Sequence, residues 1–159
     1  MTENKMEKFA LLLGGNLGKT EMFFDAALAG LAAAGAVGML RSRLYLTAPV
    51  DCVPGTPDFL NCAVTGFFSG APLELLALTQ SLEIKAGRPA FHSSREARVL
   101  DIDIILFGRH LLSTPKLSIP HPRARFRRFV LEPLAEIAPD FTFPDTGETV
   151  SAALARLGR

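Results

Sequence analysis

The sequence lacks a strong charge imbalance and a cysteine framework. Its 159 residues include 17 basic and 16 acidic side chains, for a net charge of +1. That balance argues against broad, non-specific nucleic-acid binding, although a local basic site is compatible with it. The two cysteines, Cys52 and Cys62, lack metal-ligand spacing, and nothing indicates secretion. We therefore expect a reduced, cytoplasmic protein without disulfides and without a nucleic-acid partner.

Long apolar runs are also missing. The longest uncharged stretch, Ala26 to Leu40, is broken by three glycines and falls short of the roughly 18 apolar residues that a bilayer span needs. No basic-then-apolar signal segment opens the chain, and no internal repeat is present. The length suits one domain, so we expect a single domain over residues 1–159, with 1–8 as a loose tail and no membrane partner.

What the sequence does contain is a regular succession of apolar patterns. Runs and alternations predict strands, and the i, i+3, i+7 pattern predicts helices that begin near Thr20 and Pro72. The other predicted elements are strands at Phe9–Leu13, Met39–Thr47, Phe59–Phe68 and Val99–Phe107, a hairpin or edge segment at His110–Ile119, and helices at Phe129–Ile137 and Val150–Leu157. The order β-α-β-β-α-β predicts an α+β protein with a ferredoxin-like antiparallel sheet, extended by a C-terminal hairpin and helices.

A pair of carboxylates is the strongest local signal for chemistry. Alternation along the fourth strand puts Asp101 and Asp103 on one face, and the other face, toward the core, would hold Leu100, Ile102, Ile104 and Leu106. Two ionised carboxylates held together repel each other unless a cation joins them. Such a pair suits Mg²⁺ carried by a nucleotide phosphate. On spacing alone, two solvated charges on an exposed strand face explain the pattern equally well.

Basic side chains flank this strand on both sides. Those before it are Arg88, Arg95 and Arg98, and those after it are Lys116, His121, Arg123, Arg125, Arg127 and Arg128. Any one of them could belong to a solvated basic face. Together with the carboxylates they match the needs of phosphoryl transfer, in which guanidinium groups neutralise the phosphate charge. A nucleic-acid surface is the weaker interpretation, because Phe126 and Phe129 offer little area for stacking.

Two further features could recognise a ligand. Phe59 and Asn61 share a strand face, where a ring can stack on a flat heterocycle and an amide can pair with its edge. A core phenylalanine beside a turn asparagine is the alternative. His121 lies between Pro120 and Pro122, which restrict its backbone. It could donate to a phosphate or be an ordinary turn histidine.

The segment Leu11–Thr20, LLLGGNLGKT, ends like a P-loop. A P-loop requires G-x-x-x-x-G-K-[ST], but the residue that should be the first glycine is Leu13, and Gly14 gives a spacing one residue short. We therefore expect its glycines to form a tight turn between the first strand and the first helix. Lys19 should then make little difference to ATP binding.

Five stretches, in this order, resemble the 6-hydroxymethyl-7,8-dihydropterin pyrophosphokinase family of folate biosynthesis. They are LLLGGNLG near the start, PDFLNCAV in the third strand, E-x-x-x-G-R at Glu83–Arg88, RVLDIDIILFG at Arg98–Gly108 and IPHPRARFRRFVLEPLAEIAPD at Ile119–Asp140. The resemblance runs from about Phe9 to Asp145. It implies an ATP-dependent diphosphotransferase that moves pyrophosphate from Mg-ATP to the hydroxymethyl group of 6-hydroxymethyl-7,8-dihydropterin and releases AMP. A monomer is the family expectation.

The resemblance also implies roles for individual residues. Asp101 and Asp103 would hold two Mg²⁺ ions, and Arg88 and Arg98 would join them as catalytic residues. The nucleotide would contact Gln80, Glu83, Arg88, Arg98, Ile104, Lys116, Ser118, His121 and Arg127. The pterin would lie between Phe59 and Phe129, with its edge read by Asn61, Thr47 and the backbone near Val50.

The loop before the fourth strand departs from the family pattern. Ala90 replaces the second loop arginine, and Arg95 stands where the family has tryptophan. We expect Arg95 to replace part of the missing positive charge, so Arg95→Ala should lower turnover. A catalytically weakened pterin- or nucleotide-binding protein of the same fold is the alternative. A third hypothesis is a small kinase with another acceptor. Such an enzyme would keep the aspartate pair but not the residues predicted to hold pterin.

Overall fold

The computed structural model describes residues 5–16, 20–47, 59–87 and 99–158. These residues form seven strands: β1 (Glu7–Gly15), β2 (Val37–Arg41), β3 (Tyr45–Thr47), β4 (Phe59–Phe68), β5 (Asp101–Phe107), β6 (Leu112–Ser113) and β7 (Ser118–Ile119). Its four α-helices are α1 (Thr20–Ala33), α2 (Pro72–Lys85), α3 (Arg128–Ile137) and α4 (Val150–Leu157), and a 3-10 turn covers Ala124–Phe126. Within these ranges no helix combines the length and the apolar character needed to cross a bilayer.

The main sheet is antiparallel and runs in the order β2-β4-β1-β5, with β3 also paired to β4. The central strands β1 and β4 are almost entirely buried. The short strands β6 and β7 form a separate hairpin, as the sequence predicts for His110–Ile119. The mixture of helices with an antiparallel sheet is therefore confirmed.

Each face of the sheet covers its own core. Alternate residues of β1 and β4 meet α1 and α2 in the first core, which contains Phe9, Leu11, Leu13, Phe24, Ala27, Leu31, Cys62, Val64, Leu75 and Leu82. The other face meets α3 and α4 in the second core, which contains Ala10, Leu12, Ala63, Val130, Leu131, Leu134, Phe143, Val150 and Ala153. Period-2 alternation is the cause, because neighbouring residues of a strand point to opposite faces.

The helix ends follow from glycine. Gly35 and Gly87 follow α1 and α2 with φ of +105° and +109°. Only glycine adopts such angles without steric cost, so the chain can turn away just after each of these two helices. Gly38, the second residue of β2, also has a positive φ.

The predicted strand Met39–Thr47 is interrupted in the structure. Ser42 is buried between β2 and β3, and its Oγ accepts the Ala63 N–H at 2.9 Å while donating to the Arg43 carbonyl at 2.7 Å. A side-chain hydrogen bond thus replaces a backbone ladder bond at this point. This edge of the sheet consequently consists of two short strands, β2 and β3. Leu40 of β2 and Leu46 of β3 are exposed.

Two expectations about local geometry were wrong. Gly14 and Gly15 do not form a turn; they are the last residues of β1 and pair with Asn61 and Leu60. Leu106 does not share a face with Ile102 and Ile104, because the register with β1 shifts between Ala10 and Leu11. The shift leaves Ile105 as an extra residue, in the manner of a β-bulge. Leu106 consequently packs in the second core.

Candidate active site

Four strands place one residue each in a single cross-strand row, which we call the site row: Tyr45, Asn61, Gly14 and Asp101. The register pairs Tyr45 with Asn61, Asn61 with Gly14, and Gly14 with Asp101. Directly opposed residues point to the same face of a sheet. Asp103 lies on that face too, since it opposes Leu12 of the second core.

Asp101 and Asp103 form the acidic end of this face. Both are half-buried, and buried Ile102 between them points the other way. The predicted alternation around the carboxylate pair is therefore confirmed. From the opposite face, buried Glu83 of α2 accepts the Ile102 N–H through Oε2 at 2.7 Å. This bond fixes the backbone that carries the two aspartates.

The donor set fits magnesium that arrives with a phosphate. Among the described residues no group of three or more His, Cys, Asp or Glu side chains could hold a metal. Mg²⁺ is commonly bound by one or two carboxylates, with substrate phosphates and water completing its shell. A carboxylate pair on a half-buried strand face is consistent with that mode and not with a closed protein cage.

His121 lies beside β5 and is oriented by its own loop. Its backbone N–H donates to the Ile105 carbonyl at 2.9 Å, and its Nδ1 accepts the Arg123 N–H at 3.2 Å. That contact assigns the remaining proton to Nε2. Burial lowers the pKa of His121, Arg127 and Arg123 lower it further, and Asp101 opposes them. The ring is therefore a neutral donor close to the acidic pair.

Arg127 and Phe129 begin α3, whose buried side covers the same face of the sheet. The Arg127 guanidinium carbon lies 5.5 Å from the centre of the Phe129 ring, a cation–π distance. Phe129 is 36% exposed, so much of its ring stays accessible for stacking. The structure thus presents a positive charge and an aromatic surface at one helix start.

Asn61 and Thr47 form a polar pair at the other end of the face. Buried Asn61 donates through Nδ2 to Thr47 Oγ1 at 2.8 Å. Thr47 opposes half-buried Phe59 in the register, and Phe59 is two residues from Asn61. The prediction that Phe59 and Asn61 share a face is confirmed. The Thr47 hydroxyl hydrogen is left to donate elsewhere.

The remaining predicted nucleotide contacts surround the edge of β5. Gln80 is exposed on α2, Ile104 is buried in the first core, and Ser118 and Lys116 belong to the β6–β7 hairpin. Lys116 is exposed and Ser118 half-buried. These residues therefore belong to three elements: α2, the edge strand β5 itself and the β6–β7 hairpin.

An open cleft of about 910 Å³ lies between the hairpin, the 3-10 turn and α4. Of the described site residues only Ser118 lines it. Its charged lining is engaged in ion pairs, Arg125 with Asp145 and Arg156 with Glu148. These pairs join the 3-10 turn and α4 to the segment that precedes α4. The lining of the cleft does not include Asp101 or Asp103.

Several predicted residues lie outside the described part of the chain. They are Val50, Arg88 and Arg98, together with Lys19 and the departures at Ala90 and Arg95. Their roles stay predictions.

Sequence reasoning missed three residues near the face: Gly14, Tyr45 and Glu136. Gly14 was interpreted as a turn residue, although glycine in a strand also marks close approach of another group. An added Cβ at Gly14 would lie 3.0 Å from Asn61 Oδ1. Glu136 gave no signal at all, because it meets Tyr45 only in the fold.

Comparison with known proteins identifies relatives. Residues 10–139 match the family model described as 7,8-dihydro-6-hydroxymethylpterin-pyrophosphokinase. Two relatives are named 2-amino-4-hydroxy-6-hydroxymethyldihydropteridine pyrophosphokinase. The one from Synechocystis is 39% identical over 87% of this chain and 70% of its own length. The one from Bacillus subtilis is 42% identical over 80% of this chain and 75% of its own.

A solved structure has the same fold. The crystal structure of Plasmodium falciparum HPPK-DHPS with pteroate superposes with a TM-score of 0.74 at 15% identity. The match covers 98% of this chain and 45% of the solved one. At that identity the likeness concerns the fold alone.

Proposed function

Because the chain belongs to the 7,8-dihydro-6-hydroxymethylpterin-pyrophosphokinase family, it is a pyrophosphokinase of folate synthesis, and we propose that the site row carries its reaction. The reaction moves the β,γ-pyrophosphoryl group of ATP to the hydroxymethyl group of 6-hydroxymethyl-7,8-dihydropterin. The products are AMP and the pterin diphosphate.

The observation that supports this most directly is the cross-strand register. Asn61 and Asp101 oppose Gly14 from its two sides, so their backbones are two strand spacings, or about 10 Å, apart. That separation is comparable with the length of a pterin and its hydroxymethyl arm. A ring read by Asn61 could therefore extend its hydroxyl toward a phosphate held near Asp101.

We assign the metal to the carboxylate pair. The family depends on ATP and generally on Mg²⁺, and two ions held by Asp101 and Asp103 are our proposal. When bound, magnesium neutralises phosphate charge and can stabilise the attacking and leaving oxygens. Glu83, bonded to the Ile102 N–H, keeps the two carboxylates on one face. Asp103 is also a candidate to accept the hydroxyl proton.

The other phosphate contacts come from cationic and donor groups. Neutral His121 presents Nε2–H, and Arg127 supplies a guanidinium that can bind phosphate oxygens in bidentate fashion. Arg88 and Arg98 would complete this set as catalytic residues. The rest of the nucleotide would contact Gln80, Glu83, Ile104, Lys116 and Ser118.

The pterin would be held by stacking and by edge recognition. Phe59 and Phe129 would stack on the two faces of the pterin ring. Asn61 has one amide hydrogen and its Oδ1 beyond the bond to Thr47, and the Thr47 hydroxyl adds a donor. The backbone near Val50 would complete the edge contacts.

The broader framework is part of the same proposal. The sheet order β2-β4-β1-β5 supports a ferredoxin-like arrangement, with 1–159 as one domain. A monomer, a cytoplasmic setting and no nucleic-acid partner complete it.

Product analysis tests the function. The chain is incubated with Mg·ATP and the pterin alcohol, and nucleotide and pterin products are separated. We expect AMP and pterin diphosphate, formed only when pterin is present. ADP would instead indicate a kinase of another type. Tight pterin binding without turnover would indicate the catalytically weakened binding protein.

A further inference from the structure

The carboxylate of Glu136, near the end of α3, accepts hydrogen bonds from residues at the edge of the sheet. Glu136 Oε1 accepts the Tyr45 hydroxyl at 2.6 Å, and Oε2 accepts the Arg43 N–H at 3.0 Å. The Arg43 Nε lies 3.4 Å from Oε1. One side chain of α3 therefore holds two residues of the segment Ser42–Thr47: Arg43, which lies between β2 and β3, and Tyr45, the first residue of β3.

This segment lies at the edge of the sheet, where it is also held by the pairing of β3 with β4, by the bonds of Ser42 and by packing of Leu44 against the first core. β3 is only three residues long, pairs with β4 at the sheet edge and is separated from β2 by the break at Ser42. Short edge segments open at low free-energy cost. The charge-assisted hydrogen bond from a packed helix adds a restraint from outside the sheet.

The restrained strand touches the predicted pterin site directly. Tyr45 opposes Asn61 in the register, and Thr47 accepts the Asn61 amide at 2.8 Å. A shift of β3 relative to β4 would move the Thr47 hydroxyl and release the Asn61 amide from its orientation. Phe59 opposes Thr47 and would lose its neighbour as well.

We propose that Glu136 and Tyr45 are a positioning pair for pterin recognition: the pair fixes β3 and thereby aims the Thr47 hydroxyl and the Asn61 amide. In this proposal both residues act through Thr47 and Asn61, and not by contact with the substrate. The inference rests on the proposed function, since it assigns the pair to the pterin end of that site.

The ionisation of the pair agrees with this geometry. The hydrogen bond from Tyr45 is the main cause that lowers the pKa of Glu136, and the Arg43 N–H and its charge act in the same direction. Burial is the main cause that raises the pKa of Tyr45. At neutral pH a phenol therefore donates to a carboxylate, which is a strong hydrogen bond.

The test compares three variants in steady-state kinetics. Tyr45→Phe removes only the hydroxyl, and Glu136→Ala removes the acceptor. For both we expect the KM for pterin to rise about tenfold, the scale of one hydrogen bond to a charged group. The kcat and the KM for ATP should stay within about threefold of the wild type. Glu136→Gln keeps one acceptor oxygen without the charge and should recover part of the loss.

A matched control lies one turn earlier on the same helix. Glu132 pairs with exposed Arg128 at 3.2 Å, so Glu132→Ala should leave the KM for pterin unchanged. The double variant of Tyr45 and Glu136 should be no worse than Glu136→Ala alone, because that variant already removes the contact with Tyr45.

The outcomes separate this inference from the function. A wild-type chain that forms no AMP with pterin would refute the proposed function itself. An active wild type with an unchanged KM for pterin in both variants would overturn the inference alone. Equal increases in the KM for pterin and the KM for ATP would also overturn the inference. The same holds for a kcat that falls together with the melting temperature, since either result indicates a general structural role.

Discussion

At the scale of single residues, Gly14 contributes by having no side chain. It is the middle position of the site row, and an added Cβ would lie 3.0 Å from Asn61 Oδ1. That distance is shorter than ordinary van der Waals contact, so the buried amide would have to move. Because Asn61 is already bonded to Thr47, it has little freedom to do so.

We therefore expect Gly14→Ala to raise the KM for pterin about tenfold, the cost of one misplaced polar contact. The KM for ATP should change by less than about twofold, because the methyl group points at Asn61 and not at the nucleotide contacts. Steady-state kinetics with each substrate varied in turn measures both values. A variant with wild-type affinity for pterin would show that Asn61 does not read the ring.

His121 predicts a pH dependence. Its folded-state pKa lies below the ordinary value, mainly because the half-buried ring is partly desolvated. Below pH of about 6.5 the unfolded chain binds the proton more readily than the folded chain, so stability falls as pH falls. Protonation at Nδ1 would also remove the acceptor for the Arg123 N–H.

The free energy of unfolding should consequently decrease between pH 7.5 and pH 5.5, and His121→Asn should show a smaller decrease, since the asparagine oxygen can accept the Arg123 N–H without titrating. Urea unfolding at the two pH values gives the comparison. Parallel losses in the two proteins would contradict the assignment of a depressed pKa to His121.

At the scale of elements, the C-terminal part is attached through Arg125. Its side chain is 11% exposed, bonds both oxygens of Asp145 at 2.8 and 2.6 Å and lies 4.7 Å from the centre of the Phe143 ring. Removing Arg125 leaves the Asp145 carboxylate without the nitrogen, Nη2, that bonds both of its oxygens, and it uncovers one face of the buried Phe143 ring.

We expect Arg125→Ala to lower the free energy of unfolding by about 2 kcal/mol, less than for a fully buried pair because Asp145 is partly exposed. The control is Arg128→Ala, which breaks the exposed pair with Glu132 and should cost no more than about 0.5 kcal/mol. Chemical denaturation of the two variants side by side provides the values. Equal effects would mean that Arg125 contributes only as a surface charge.

The elements also show what the sequence can predict. Apolar periodicity and glycine positions were sufficient for α2, β4 and α4, because those signals are local. The break at Ser42 was not predictable, since it depends on a hydrogen bond to Ala63, which is distant in sequence. The bulge at Ile105 was not predictable either, because the register depends on the pairing of two strands and not on the sequence of one.

At the scale of the whole molecule, the site is a property of the sheet. Alternation along one strand placed Asp101 with Asp103, and alternation along another placed Phe59 with Asn61. Only the strand order brings these two pairs to opposite sides of Gly14. Glu136 joins the site through α3, which covers the same face, and no local pattern could have indicated it.

In the proposed mechanism Asp101 carries the phosphate chemistry, and the P-loop-like segment does not. The most direct test is the rate of AMP formation from Mg·ATP and the pterin alcohol by Asp101→Asn, with Lys19→Ala as the matched comparison. We predict that Asp101→Asn lowers the rate at least about 100-fold, the scale of losing a main electrostatic stabiliser, with an unchanged melting temperature. Lys19→Ala should stay within about threefold of the wild type. A nearly active Asp101→Asn, or a loss of AMP formation in Lys19→Ala, would contradict the account.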